Sequence, residues 1–136
     1  MSKLLFLNYD AFLRYFEPKN KEEQKLLRNF FEKLVNGRIK AFTTTHSLIK
    51  LAEELERTGR WTREEISYNL RLILLTPNLK LNFRDVFEEA LEIYSKRNIS
   101  FLNAYHCAIM RRMNSEKAVT FSEDFEAEEK LNLKEV

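Results

Sequence analysis

Glycine is nearly absent from this chain: only Gly37 and Gly59 occur in 136 residues. Phosphate-cradling loops and dinucleotide fingerprints need several glycines for close backbone approach, so both are excluded. A single cysteine, Cys107, rules out an internal disulfide and fits a reducing compartment. Its neighbourhood reads as helical, and a buried small apolar role suits it better than that of a nucleophile. One cysteine and two histidines cannot build a Cys/His metal site. No apolar run approaches the length of a membrane span. Neither sign of charge dominates. The formal net charge of +2 neither demands nor excludes nucleic acid as a partner.

What is present is an ordinary globular composition, 44% hydrophobic and 32% charged. The length suits a single domain over residues 1–136. Eleven Phe and five Tyr are a large aromatic complement for this length. Most belong in a core, and the surplus points to a partner surface or a homodimer. The stretch from Met1 to Tyr9 has one Lys, a short apolar run and no small-residue cleavage site. It reads as a first strand and not a signal peptide, which places the protein in the cytoplasm.

Leu4–Leu7 is too short for a helix and reads as a strand buried on both faces, in the middle of the sheet. Asp10 is placed to cap a helix over 11–16, which Pro18 ends. Residues 21–36 carry Leu26, Leu27, Phe30, Phe31, Leu34 and Val35 at helical spacing, with Gly37 at the C-terminal stop. A short strand at 39–43 precedes a helix capped by Thr44 or Thr45 and stopped by Gly59. Thr62-Arg63-Glu64-Glu65 is a capping box for a helix reaching about Leu74. A strand at 79–82, a helix at 83–97 and a helix capped by Ser100 follow. Residues 118–121 read as a fourth strand and 131–136 as a fifth. Strands alternating with helices imply right-handed crossovers in a mostly parallel sheet of four to five strands flanked by helices. In such a sheet the working site lies beyond the carboxyl ends of the strands. That rule selects residues 8–10, 43–45 and 122–124.

Four blocks in this order resemble a known family. They are Phe6-Leu7-Asn8-Tyr9-Asp10 with the helix carrying Arg14, Thr44 to Glu56 followed by Trp61 to Ile66, Ser100-Phe101-Leu102-Asn103-Ala104, and Thr120-Phe121-Ser122-Glu123-Asp124-Phe125. Together they resemble PIN-domain proteins, especially the small VapC-type ribonuclease toxins. The resemblance implies an α/β three-layer sandwich and a metal-dependent endoribonuclease. Such an enzyme gathers three or four carboxylates at the sheet's carboxyl edge around one or two Mg²⁺ or Mn²⁺. The metal activates a water for in-line attack on a phosphodiester.

The matched positions depart from that pattern. The family's acids fall on Asn8, Lys50, Asn103 and Ser122, the second of these from an ungapped match of the helix. Asp10 and Asp124 remain as acids. Asn keeps the shape of Asp without its charge, and Lys brings a positive charge to a site built for a cation. Two readings follow. In the first the chain is a degenerate PIN module that holds no cofactor and binds RNA, an antitoxin-like protein or a second copy of itself. Its Lys50 ammonium then stands in for the metal, pairing with Asp10 or Asp124 and meeting the amide oxygens of Asn8 and Asn103. In the second it is an active Mg²⁺- or Mn²⁺-dependent endoribonuclease of a toxin–antitoxin type system. There Asp10, Asp124 and either Glu53 or Glu54, one turn beyond Lys50, rebuild the site. Arg14 matches the family's Arg and is a candidate RNA contact. Phe12, Tyr15, Phe16, Phe30 and Phe31 are candidates for the groove that takes an antitoxin segment. Arg57, Arg60, Arg63, Arg111 and Arg112 read as solvated or ion-paired surface. His46 reads as a surface residue and His106 as packed.

Overall fold

The computed structural model describes residues 4–136. The first three residues, part of the stretch read above as not a signal peptide, lie outside the described ones. The chain divides into two compact units, Met1–Arg84 and Asp85–Val136.

The first unit is α/β. Strands β1 (Leu4–Phe6), β2 (Lys40–Thr43) and β3 (Leu79–Leu81) form a parallel sheet in the order β1-β2-β3. Leu5 pairs with Ala41, and Ala41 with Leu79. The Leu7 amide extends the ladder to the Phe42 carbonyl at 2.9 Å. Helices α1 (Tyr9–Phe16) and α2 (Lys21–Val35) make the first crossover. Helices α3 (Thr45–Thr58) and α4 (Arg63–Leu74) make the second. β2 alternates as a strand covered on one face should: Ala41 and Thr43 are buried while Lys40 is exposed. Below the sheet the core collects Leu34, Leu48, Leu51, Leu55 and Leu70, all fully buried.

Local chemistry sets the element ends. Asn20 accepts from the Glu23 amide and Thr44 from the Ser47 amide, starting α2 and α3. The capping box at α4 is complete, with Thr62 and Glu65 each accepting from the other's backbone. Gly37 and Gly59 end α2 and α3 with φ of 79° and 69°, a region a side chain resists.

The second unit holds α5 (Arg84–Lys96, which begins at the first unit's last residue) and α6 (Phe101–Arg112). Phe101 packs on Phe87 and Tyr94 with ring centroids 5.0 and 5.4 Å apart. Ser100 caps α6 by accepting from the Asn103 amide.

The parallel α/β sheet is as expected, with three differences. β1 lies at an edge of the sheet and not in its middle, and its residues are exposed. Residues 118–121 make no strand among the described residues. Ala118 forms a single parallel bridge with Lys130, and Phe121 is 89% exposed. Residues 131–136 carry a 3₁₀ turn, Leu133–Glu135, in place of a fifth strand. An apolar run is necessary for a strand but not sufficient, since the ladder needs a neighbour of matching register.

Candidate functional site

In the first unit, Asn8 and Asp10 stand at the start of α1, and Lys50 of α3 lies near the ring of Tyr9 there. Asn8 follows β1 and is the N-cap of α1, but its side chain makes no capping bond. Asp10 lies inside the first helical turn, so it is not the cap. Its charge there still favours the helix, because an acid complements the positive end of the peptide dipoles.

Lys50 corrects an expectation. Its ammonium pairs with Glu54 at 3.3 Å, one turn along α3, and lies 6.0 Å from the centre of the Tyr9 ring. It does not pair with Asp10. The i,i+4 spacing decides this: Glu54 needs no tertiary contact to reach Lys50. The same geometry removes Glu54 as a substitute metal ligand. Arg57 holds its other oxygen at 2.8 Å. Arg57 first and Lys50 second keep the Glu54 carboxyl below its ordinary range. Glu53 is half-buried on the same helix.

Arg14 is engaged as well. It forms a two-pronged bond with Glu23, at 2.7 and 2.9 Å. That fork bridges the end of α1 to the start of α2 and uses the guanidinium face that a phosphate would take. Three of the other arginines behave as ion-paired surface: Arg57 with Glu54, Arg112 with Asp85 and Glu89, and Arg111 with Glu89.

In the second unit, Asn103, Ser122 and Asp124 do come together. The Asn103 amide Nδ2 donates to Asp124 Oδ2 at 2.8 Å and to Ser122 Oγ at 3.4 Å. Asp124 is an acceptor only, so the nitrogen of Asn103 must be the atom facing it. The Ser100 amide, at the start of α6, donates to the same Oδ2 at 3.1 Å. Ser122 Oγ accepts from the Asp124 amide at 3.2 Å. Asn103 first, then Ser100, hold the Asp124 carboxyl below its ordinary range, against the opposing effect of burial. His106 is exposed, not packed, and its Nδ1 meets Asn103 Oδ1 at 3.2 Å. The amide oxygen that would substitute for a ligand carboxylate is therefore turned to His106.

Arg97 joins this cluster without any motif in the sequence that singles it out. It donates to the Asp124 carbonyl at 2.9 Å and forks onto Glu129 at 2.8 and 3.1 Å, pinning the turn that carries Asp124. It also reaches Cys107, which is buried and whose thiol is pushed up by that burial.

A fold-implied divalent metal can be tested against these donors. A hard dication takes several oxygen ligands. In neither unit, among the described residues, do three His, Cys, Asp or Glu side chains converge as a metal set would. The matched positions offer an amide, a salt-bridged ammonium and a carboxylate already met by protein N–H groups. The residues present do not fit the metal.

The first unit also carries an apolar groove of about 200 Å³. It is lined by Phe12, Tyr15 and Phe16 of α1, Phe31 and Val35 of α2, and Leu72, Ile73 and Thr76 at the end of α4. Four of the five aromatics expected there line it. Phe30 does not, though its ring packs edge-on against Phe31 at 5.3 Å.

The family model described as PIN domain matches residues 10–130. A VapC ribonuclease of Aquifex aeolicus strain VF5 is 30% identical over 117 residues, covering 85% of this chain and 84% of that protein. Among solved structures, the Mycobacterium tuberculosis sarcin-ricin loop cleaving toxin VapC20 aligns over 90% of this chain and 92% of its own. That alignment has a TM-score of 0.41 and 19% identity.

Proposed function

The chain belongs to the PIN domain family, and from that premise we propose that it works as a binding module that has given up the family's metal chemistry. One observation carries this reading: one oxygen of the last matched acid, Asp124 Oδ2, is held by the chain's own donors, Asn103 Nδ2 at 2.8 Å and the Ser100 amide at 3.1 Å. A metal that took this oxygen would displace two charge-assisted bonds. Each unit by itself offers such an ion one acid at a matched position, Asp10 or Asp124, beside neutral amides. A Mg²⁺ or Mn²⁺ ion, when bound, would supply a polarised water, and these residues are a poor cage for it.

Binding in this reading falls to the groove on α1, α2 and α4. An apolar hollow at the surface is covered in a functioning protein, and an antitoxin-like protein segment has the chemistry to cover it. RNA is the weaker candidate, since Arg14 and Arg57 are already forked onto carboxylates.

A second reading keeps the enzyme. It is favoured by the 30% identity to a protein named as a ribonuclease over 85% of this chain. Asp10 and Asp124 are then the surviving ligands, with Glu53 as the third. The two readings separate in one assay. Purified protein is incubated with single-stranded RNA in EDTA, Mg²⁺ or Mn²⁺, beside an Asp124→Ala variant. No metal-dependent cleavage is expected. Metal-dependent cleavage that the variant abolishes would establish the enzyme and reject the binding module.

A further inference from the structure

The sheet of the first unit has two faces, and the core lies on one of them. The strands follow one another in chain order, so two right-handed crossovers put α1 to α4 on a single face. Ala41, Thr43 and Leu79 point to that face and are buried. Side chains alternate along a strand, so Leu4 and Phe6 of β1, Lys40 and Phe42 of β2 and Lys80 of β3 point to the other. The register sets Leu4 beside Lys40, and Phe6, Phe42 and Lys80 in a row across the three strands. Phe6 is 50% exposed, Phe42 is half-buried, and both lysines are exposed. The two rings lie side by side with centroids 5.3 Å apart. Arg14 and Arg57 are spent on carboxylates, whereas Lys40 and Lys80 pair with none among the described residues. The three strands themselves contain no acidic residue.

We propose that this face is a platform for single-stranded nucleic acid, with bases stacked on Phe6 and Phe42 and phosphates held by Lys40 and Lys80. It is separate from the groove on α1, α2 and α4 and does not depend on what fills that groove. Three features select the occupant. Adjacent aromatic rings beside unpaired cations offer both contacts that a single strand makes, stacking and charge. An apolar protein layer would cover the rings but leave two ammonium groups beneath it without acids, which is costly. The patch is also small, five side chains, where a stable protein interface takes roughly 20–30 residues a side. None of the five side chains carries an acceptor, and the lysines act as point charges. The platform therefore holds base faces and backbone and does not read sequence.

The probe is a short fluorescein-labelled oligodeoxyadenylate in EDTA, so that neither ribonuclease cleavage nor a metal contributes. Fluorescence anisotropy gives the dissociation constant across a salt series for wild type, Phe6→Ala, Phe6→Tyr and Lys80→Gln. Wild type is expected to bind at low salt, with log affinity falling against log salt by about 1.4, roughly 0.7 for each lysine. Phe6→Ala should weaken binding about tenfold while unfolding at a urea concentration close to that of wild type. Phe6→Tyr keeps a ring and should keep the affinity. Lys80→Gln should lower the salt slope by about 0.7. In ¹⁵N-labelled wild type the backbone amides of Lys40, Phe42 and Lys80 should shift as the oligonucleotide is added, a readout that needs no variant. A GC-rich hairpin duplex hides its base faces and should bind more weakly than the single strand. No binding at low salt would overturn the platform and leave the groove reading standing. So would binding that Phe6→Ala and Lys80→Gln both leave unchanged, or a duplex bound as tightly as the single strand. Should Phe6→Ala fail to fold, the amide shifts decide, and shifts confined to other residues would overturn the platform. A dimer of the protein alone that Phe6→Ala disperses would assign the face to a second copy and overturn the proposed occupant.

Discussion

Asp124 carries more of the second unit than a surface acid usually does. Its carboxylate ties Asn103 to Ser100, the cap of α6, and its carbonyl is tied to Arg97. Replacing it with Ala removes the acceptor of the Asn103 and Ser100 donors while Arg97 keeps the carbonyl, which costs about 1–3 kcal/mol by comparison with other bonds to charged groups. Urea denaturation of Asp124→Ala at neutral pH should show that loss. The pH dependence has a definite sign. The folded carboxyl is held below its ordinary value of 3.8. Its contribution is therefore complete above that value and is lost as pH falls through the lower folded value. Wild type should lose stability below about pH 4 more steeply than Asp124→Asn, which has no carboxyl to protonate. Asn103→Asp should behave in the opposite way. It places a second carboxylate 2.8 Å from the first. Two such charges cannot both ionise freely, so one is pushed up. That variant should be less stable than wild type at neutral pH in EDTA and should recover on acidification to about pH 5. A variant as stable as wild type across that range would contradict the arrangement. The identities at these positions were legible from the four sequence blocks. The partners were less so. Lys50 was expected to reach a tertiary acid, whereas the nearest acid at helical spacing, Glu54, holds it.

Among the elements, the helices were the legible part, because their signals are local. The capping box of α4, the Thr44 cap and the glycines after α2 and α3 all fall where the residue types demand. Thr62→Ala removes the acceptor for the Glu65 amide and should cost about 1 kcal/mol. Thermal denaturation with amide exchange should show that loss, with the weakened protection confined to the start of α4. The strands were half legible. β1, β2 and β3 appear within a residue or two of their expected bounds, but strand order is not written in a strand's own residues. β1 lies at an edge because only β2 supplies a ladder to it. Residues 118–121 have the composition of a strand, yet Val119 and Phe121 face solvent and pair with no neighbour. Asn69 is the opposite case. No sequence signal singles it out, and its unpaired amide shows in the packed helix.

At the scale of the whole molecule, the family is secure, and a change of chemistry is the proposal to test. A PIN domain model spans residues 10–130, while the positions that the resemblance matches to metal ligands carry an amide, an ion-paired lysine and an aspartate bonded to Asn103. Restoring the charges should therefore restore the ion. The variant Asn8→Asp, Lys50→Glu, Asn103→Asp is expected to gain thermal stability on adding Mn²⁺, because a ligand that binds only the folded state raises its midpoint. Asp124→Ala in that background should remove the gain. The most direct test of the loss of metal is isothermal calorimetry of wild type and this triple variant with Mn²⁺, run together. Wild type is expected to give no saturable heat at millimolar metal, and the triple variant a saturable isotherm. Saturable binding by wild type that disappears in Asp124→Ala would contradict the loss of the metal site.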